Sequence, residues 1–209
     1  MYYRHQCSVP VVETIVCDDA SQFKLLTAKL ALCWIHAGRH YEKLSPVVPR
    51  HAELLDSFLD RYWNYYYSLQ RYRAGPSEQQ AALLRLEFDE LFSTHTGYTA
   101  LDDRIAKTLA KKDELLTVLS VPSVPLHNNA SELQARVSAR RRDVSLHSRS
   151  VRGARAMDIF TTVVQTAKLH SVSSYAYFRD RLSRRFDLPS LATVIRTAFQ
   201  ATTTEHASA

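Results

Sequence analysis

The amino-acid sequence predicts an α-rich α/β fold, and three observations lead to that class. The 209 residues include only 4 Gly, too few for a protein built mainly from strands and tight turns. One β-branched run, residues 11–17, has the composition of a buried strand. Over much of the remaining chain, apolar residues recur at steps of three and four, which is the spacing of one face of a helix.

The strands are expected near the N-terminus. The run at residues 11–17 stops at Asp18 and Asp19, and residues 31–35 form a second short apolar run, typical of another buried strand. An amphipathic helix is predicted between the two runs. Its apolar side would consist of Phe23, Leu26 and Leu30. A further helix is predicted over residues 36–44.

Helices dominate the rest of the chain. Residues 51–119 are predicted to form two or three long helices, broken at 74–77 and at 94–99. Two prolines make residues 121–125 a stiff connector that ends any helix before it. Further helices are expected over residues 157–170, 174–184 and 190–200.

An aromatic cluster lies in the first long helix. It consists of Tyr62, Trp63, Tyr65, Tyr66 and Tyr67. Such rings could stack on nucleic-acid bases, but at helical spacing aromatic side chains more often form a core or an interface. The spacing therefore favours a packing role.

The charge is concentrated in the C-terminal third. The whole chain has a net charge of +6 and a pI near 9.3. Residues 133–185 carry 11 Arg and one Lys against three Asp, a net +9. A basic segment on a near-neutral body is typical of DNA binding, although a solvated arginine-rich surface is the simpler alternative.

One acid, Glu132, stands directly before this basic segment. It follows Asn128 and Asn129, and it precedes seven arginines: Arg136, Arg140, Arg141, Arg142, Arg149, Arg152 and Arg155. With Asn129 it fits a capping box that starts a helix. Alternatively, Glu132 binds a metal ion and the arginines neutralise DNA phosphates, helped by serine hydroxyls. Arg136 and Arg140 share a helix face with Glu132 at steps of four.

Asp18 is the second candidate acid, because functional groups are common just beyond the carboxyl end of a buried strand. Carboxylates there are hard oxygen ligands suited to Mg²⁺. Two such ions could activate a hydroxyl and stabilise the leaving oxygen of a phosphodiester. The alternative for Asp18 is an ordinary turn or helix cap.

Cysteine usage gives two further expectations. Three Cys, with no signal peptide and no apolar run of about 18 residues, indicate a cytoplasmic protein with reduced thiols and no membrane span. Cys33, His36 and His40 have a spacing that hints at zinc, but a fourth ligand is not evident nearby. A buried Cys33 and a hydrogen-bonded His36 are the favoured interpretation.

In order along the chain, these motifs resemble the C-terminal half of a bacterial insertion-sequence transposase of the insertion sequence 66 type. The motifs are Cys17-Asp18-Asp19-Ala20-Ser21-Gln22-Phe23, Cys33-Trp34-Ile35-His36-Ala37-Gly38-Arg39, Leu126-His127-Asn128-Asn129-Ala130-Ser131-Glu132, Arg152-Gly153-Ala154-Arg155-Ala156 and Gln165-Thr166-Ala167-Lys168-Leu169. The resemblance extends from about residue 11 to residue 182. It implies an RNase H-like core with an Asp-Asp-Glu triad, two Mg²⁺ ions, and DNA as substrate, both transposon ends and target.

Carried over by position, the resemblance implies that Asp18 is the second catalytic aspartate and Glu132 the catalytic glutamate. Asp19 stands where the family usually has Gly, and it competes with Asp18. Cys33 and His36 match a supporting Cys-x-x-His pair, and Asn128 and Asn129 match the asparagines before the glutamate. His127 and Leu133 depart from the usual Asp and Arg, which indicates a divergent subgroup.

The first aspartate of the triad has no counterpart, since no Asp precedes position 18. We therefore expect a truncated RNase H-like core with two or three strands left and a long helical insertion. The expected domains are a partial core at 1–47, the insertion at 48–122, the glutamate helix with basic helices at 123–200, and a disordered tail at 201–209.

Two functions follow as hypotheses. The chain is a transposase fragment, inactive alone, that forms homo-oligomers or associates with other transposase subunits. The alternative is a noncatalytic DNA-binding or dimerisation module that could inhibit a full-length transposase.

Overall fold

The computed structural model describes residues 12–24, 26–145 and 148–207. Two strands and ten α-helices occur in these ranges, together with a short 3₁₀ turn at Ser21–Phe23. They are β1 (Thr14–Cys17), β2 (Lys29–Leu32), α1 (Trp34–Glu42), α2 (Pro49–Ala74), α3 (Glu78–Phe92), α4 (Thr99–Leu109), α5 (Lys112–Leu115), α6 (Thr117–Ser120), α7 (Asn129–Ser145), α8 (Val151–Leu169), α9 (Ser174–Leu182) and α10 (Leu191–Ala207). The predicted α-rich α/β class is confirmed.

The chain divides into two compact units. Unit 1 ends at Asn129 and holds the strands and α1–α6, and unit 2 begins at Ala130 and holds the remaining helices. Within the described ranges, no helix combines the length and the apolar character that crossing a membrane requires.

The two strands of unit 1 are parallel neighbours, with Thr14 opposite Lys29 and Cys17 opposite Leu32. The predicted first strand is therefore shorter than expected, and its residue Val11 lies outside the described residues. The prediction of a helix between the strands is wrong, since only the 3₁₀ turn forms among the described residues of that segment. Leu30, assigned to that helix by its spacing, lies instead in β2, where the Thr117 hydroxyl donates to its carbonyl at 2.8 Å.

The second strand lies earlier in the chain than residues 31–35, because α1 begins at Trp34. Cys33 is the last extended residue, and its N–H donates to the Cys17 carbonyl at 2.9 Å. The Trp34 side chain is fully buried beneath the start of α1, and its indole Nε1–H donates to the Leu115 carbonyl at 3.0 Å. Burial of this large ring fixes the helix start.

An aromatic core joins the sheet to the long helices of unit 1. Trp34 packs against Tyr62, Tyr65, Phe88 and Phe92, with ring centroids 5.4–6.4 Å apart. The Tyr62 hydroxyl donates to the Trp34 carbonyl at 2.7 Å, and that of Tyr65 donates to the Leu84 carbonyl at 2.8 Å. Each buried hydroxyl thus has a partner, as a stable core requires. The packing role predicted for the aromatic cluster is confirmed, apart from Tyr67, which is exposed.

The predicted helix breaks are confirmed. Pro49 is the first residue of α2, a position at which its missing N–H costs nothing. The Ser77 side chain caps α3 by accepting from the Gln80 N–H at 3.2 Å. At Gly38, α1 and α2 are so close that a Cβ atom would lie 2.7 Å from the Trp63 ring.

Unit 2 is a smaller set of helices with serine caps. Ser150 accepts from the Gly153 N–H at 3.0 Å, so α8 starts at Val151, before the predicted start at residue 157. Phe160 of α8 packs on Phe178 of α9, with centroids 5.5 Å apart. The last helix continues to Ala207, past its predicted end at residue 200 and into the segment predicted as a tail.

Candidate functional site

The parallel pairing places two candidate residues at one end of the sheet. Asp18 follows β1 and Cys33 follows β2, so both lie at the carboxyl end of their strands. Among the described residues, the Asp18 carboxylate accepts a single long contact, 3.4 Å, from the Ala20 N–H. This weak turn contact leaves the carboxylate available to a further ligand.

A pocket of about 360 Å³ opens at this end of the sheet. Its lining combines strand-end residues with helical ones: Asp18, Asp19, Ala20, Leu32, Cys33, His36, Ala37, His40, Arg104, Thr108, Lys111 and Leu115. The structure thus brings together four residues predicted for the site. They are Asp18, Asp19, Cys33 and His36. We call this cavity the strand-end pocket.

The two aspartates have different surroundings. Asp19 forms an ion pair with Lys111, which follows α4. Asp18, in contrast, forms no ion pair with any described residue. The choice of Asp18 over Asp19 as the functional acid is therefore consistent with the charge pairing, because Asp19 already has a cation.

Two titratable groups at the pocket, Cys17 and His40, are held neutral. Burial, followed by the charges of Asp18 and Cys33, raises the pKa of the Cys17 thiol to about 11, so it remains protonated near neutral pH. Partial burial lowers the pKa of His40, and the positive charges of Arg104 and Lys43 lower it further. His40 is therefore neutral near pH 7.

The side chains do not form a complete metal site. In the part of the chain that the structure describes, no group of three or more His, Cys, Asp or Glu side chains is placed to hold a metal ion. The zinc hypothesis for Cys33, His36 and His40 gains no support from this arrangement. Asp18 and Asp19 by themselves supply too few carboxylates for a pair of Mg²⁺ ions.

The segment leading to α7 is fixed near the strand ends. The Leu126 carbonyl accepts from the Trp34 N–H at 2.9 Å, and the Leu126 side chain is buried in the core of unit 1. The predicted stiff connector at residues 121–125 is thus followed by a residue bonded to the first residue of α1. This backbone bond sets where the chain leaves unit 1.

Glu132 lies on α7, in unit 2. The helix begins at Asn129, and Glu132 is its fourth residue, within the first turn. Asn128 Oδ1 is buried and accepts no hydrogen bond from the described residues, so the Asn128 side chain does not cap α7. The two interpretations of Glu132, as part of a capping box with Asn129 or as a metal ligand, both stay predictions.

The predicted DNA-binding arginines lie along α7, α8 and the segment between them. None of the described side chains of α7 is buried, and most of its outer surface is polar or charged. The Arg141 guanidinium donates to the Thr161 hydroxyl and ties α7 to α8. A groove of about 480 Å³ between these helices has Asp158 in its lining, together with the guanidinium groups of Arg141 and Arg142 and the hydroxyls of Ser138 and Ser148 as donors. Such donors suit phosphate oxygens.

Sequence reasoning missed two cations of the strand-end pocket, Arg104 and Lys111. With Thr108, they recur at steps of four and three on and just after α4, so they share one side of the helix. That polar side was a signal in the sequence. The apolar side of the same helix, with Leu101 and Ile105, explains the spacing by itself, so the polar side does not stand out in the sequence.

An acid at the carboxyl end of parallel strands, followed by a basic helical unit, is an arrangement that suits a protein acting on nucleic-acid phosphates. The chain belongs to the IS66 family of transposases, whose sequence profile matches residues 9–156. That range contains every residue predicted for the site. Family membership supports a transposase-related function, and transposases of the DDE type generally use Mg²⁺.

One relative and the solved structures complete the comparison. Over 168 residues the chain is 38% identical to the protein "Uncharacterized protein y4jO" of Sinorhizobium fredii (strain NBRC 101917 / NGR234). The alignment covers 80% of this chain and 52% of that protein, so the chain spans about half the length of this curated relative. No solved structure matches the chain significantly.

Proposed function

We propose that the chain carries two acids of a transposase site, Asp18 and Glu132, on an RNase H-like core, and that it binds DNA through the arginines of unit 2. The observation that carries this proposal is the position of Asp18. It directly follows β1, faces a pocket at the shared end of two parallel strands, and forms no ion pair with the described residues. A carboxylate so placed is available for phosphodiester chemistry.

Two features support Glu132 as the second acid. It lies within the range matched by the transposase family, in the first turn of α7. The Leu126–Trp34 backbone bond also fixes the segment before α7 beside the end of β2. Supporting roles for Asp19, Cys33, His36, Asn128 and Asn129 belong to the same proposal.

DNA is the proposed partner because α7 has no core to stabilise it. A helix without buried residues needs other contacts, and phosphates would supply them to its arginines. Transposon ends and target DNA are the substrates we assign to the family site. Homo-oligomers, or assemblies with other transposase subunits, would bring several such surfaces onto one DNA.

Mg²⁺ is the cofactor we assign to the site when a third carboxylate joins Asp18 and Glu132. A two-metal site needs such a set of acids to fix both ions. Because the described residues group no three ligands, we expect the chain alone to bind DNA without cleaving it. A noncatalytic DNA-binding module, the alternative, is favoured by that same observation.

DNA binding is tested by fluorescence anisotropy of a labelled 20-base-pair duplex over a series of salt concentrations. We expect log K to fall linearly with log salt, because arginines release counterions from phosphates. Replacing Arg140, Arg152 and Arg155 with Gln should weaken binding and make the slope shallower, by about 0.9 for each phosphate that is no longer neutralised.

The matched control replaces three exposed cations of unit 1, Arg50, Arg71 and Lys107, with Gln. Equal losses of affinity in both variants would show nonspecific attraction and contradict the assigned surface. Independence of salt would exclude phosphate neutralisation altogether. Nicking of supercoiled plasmid by the chain with MgCl₂, abolished in Asp18→Asn, would overturn the expectation of binding without cleavage while supporting Asp18 as the functional acid.

A further inference from the structure

We propose that Arg104 is a substrate-binding residue of the strand-end pocket, where its guanidinium binds a phosphodiester oxygen of the nucleic acid. This inference rests on the proposed function, because it assigns the ligand of the pocket that contains Asp18. It adds a cation from the helical region, far along the chain from both proposed acids.

The first argument is that the Arg104 guanidinium has no acidic partner among the described residues. It forms no ion pair with them, and its Nε atom is buried without a hydrogen-bond acceptor from the same part of the chain. A buried donor without an acceptor is costly, and a charged donor more so. Lys111, the other cation lining the pocket, is already paired with Asp19. Arg104 is therefore the cation with binding capacity left for an anion.

The second argument is that Arg104 is held in place. Its backbone carbonyl accepts from the Thr108 hydroxyl at 3.0 Å, and the hydroxyls of Thr108 and Tyr41 are hydrogen-bonded to each other at 2.6 Å. Its guanidinium lies 5.9 Å from the centroid of the Tyr41 ring, within range of a cation–π contact. Tyr41 is fully buried in α1, the helix that starts at the end of β2. These contacts through Tyr41 fix α4 relative to the strand ends, so the Arg104 side chain needs little further ordering when a ligand binds.

The third argument is the character of the pocket. At about 360 Å³, it is large enough for a phosphate with part of a sugar, and the Arg104 guanidinium in its lining is a hydrogen-bond donor. Because His40 is neutral and Lys111 is paired with Asp19, Arg104 supplies the positive charge of the described lining, on the same pocket as the Asp18 carboxylate. A guanidinium forms charge-assisted hydrogen bonds with the anionic oxygens of a phosphodiester.

The test titrates the ¹⁵N-labelled full chain with the trinucleotide (dT)₃, without metal, and follows the arginine Nε–H signals by NMR. A trinucleotide is too short to reach many phosphate-binding side chains at once, so the removal of one of them is visible in the affinity. We expect the Arg104 signal to shift on binding. Arg104→Gln should weaken binding about tenfold, the effect typical of removing one charged hydrogen bond, whereas Arg104→Lys should retain most of the affinity.

Gln and Lys both keep side-chain methylene groups but differ in charge, so the difference between the two variants reports mainly the charge. Lys107→Gln, on an exposed side of the same helix, is the control and should change binding less than twofold. An Arg104 signal that stays unchanged, or equal affinities for the Gln and Lys variants, would overturn the assignment. If the unit 2 arginines still govern duplex binding in that case, the proposed function stands and only the role of Arg104 fails.

Discussion

The two units of the chain are stabilised in different ways. In unit 1, large rings such as Trp34, Tyr62 and Phe88 are fully buried, and the hydroxyls of Tyr62 and Tyr65 donate to backbone carbonyls. In the described part of unit 2, the buried residues are Ala167, Asp180 and Leu191, none of them large and aromatic. Hydrophobic burial thus accounts for the stability of unit 1 and contributes far less to the stability of unit 2.

Backbone geometry shows the same contrast. In unit 1 the left-handed position among the described residues is occupied by Gly97, which tolerates it at no steric cost. In unit 2, Ser171, Arg184 and Phe186 all have φ near 56°, a conformation that disfavours residues with a Cβ. Unit 1 therefore has the features of an independent fold. Unit 2 instead combines strained turns with a charged surface that suits a binding partner such as DNA.

The largest effect is expected at the centre of unit 1. Trp34→Ala removes the ring that packs on Tyr62, Tyr65 and two phenylalanines, together with the indole donor to the Leu115 carbonyl, so it should lower the free energy of unfolding by about 3–5 kcal/mol. Urea denaturation followed by circular dichroism measures the change. Phe160→Ala, in unit 2, is the comparison, because that ring is 53% exposed. A destabilisation as large as that of Trp34→Ala would contradict the contrast between the units.

A smaller, pH-dependent effect is expected at Asp102 in α4. Its carboxylate accepts from the Thr96 N–H and hydroxyl at 2.8 and 2.7 Å and from the Gly97 N–H at 3.0 Å. Burial alone would raise the pKa of Asp102, but these hydrogen bonds and the nearby His95 lower it below 3.8. A lowered pKa in the folded protein stabilises the fold above the ordinary pKa, and that contribution disappears as pH falls towards the lower value.

Asp102→Asn should therefore cost about 1–2 kcal/mol near pH 7, because the hydrogen bonds then lack a charged acceptor. Below about pH 4 the difference between the variant and the wild type should shrink, because the wild-type carboxyl also becomes protonated. Thermal melts from pH 3 to pH 7 measure both. If the stability difference between wild type and Asp102→Asn stayed constant from pH 3 to pH 7, the charge of Asp102 would not stabilise the loop that contains Thr96 and Gly97.

Structural features that depend on local contacts could be predicted from the sequence, whereas features that depend on contacts between distant residues could not. The helices of residues 49–120 were predictable because their apolar spacing, prolines and Ser77 cap are local signals. The end of β2 was not predictable, because it depends on the pairing of Cys33 with Cys17 and on hydrogen bonds to the distant carbonyls of Leu115 and Leu126. Asp18 could be singled out as a strand-end acid, but Arg104 joins it only through the packing of α4 on Tyr41.

The smallest effect is expected for a valine-to-alanine substitution. The same substitution can be made in both units, so it tests directly whether they differ in apolar burial. Val118 is 2% exposed in unit 1, and Val151 is 86% exposed as the first residue of α8. Val118→Ala leaves a cavity and should cost about 1–2 kcal/mol. Val151→Ala removes little buried surface and introduces a better helix former, so its free energy of unfolding should change by less than about 0.5 kcal/mol. If Val151→Ala proved as costly as Val118→Ala, the exposed side of α8 would have to be covered in solution, and unit 2 would be stabilised by apolar contacts after all.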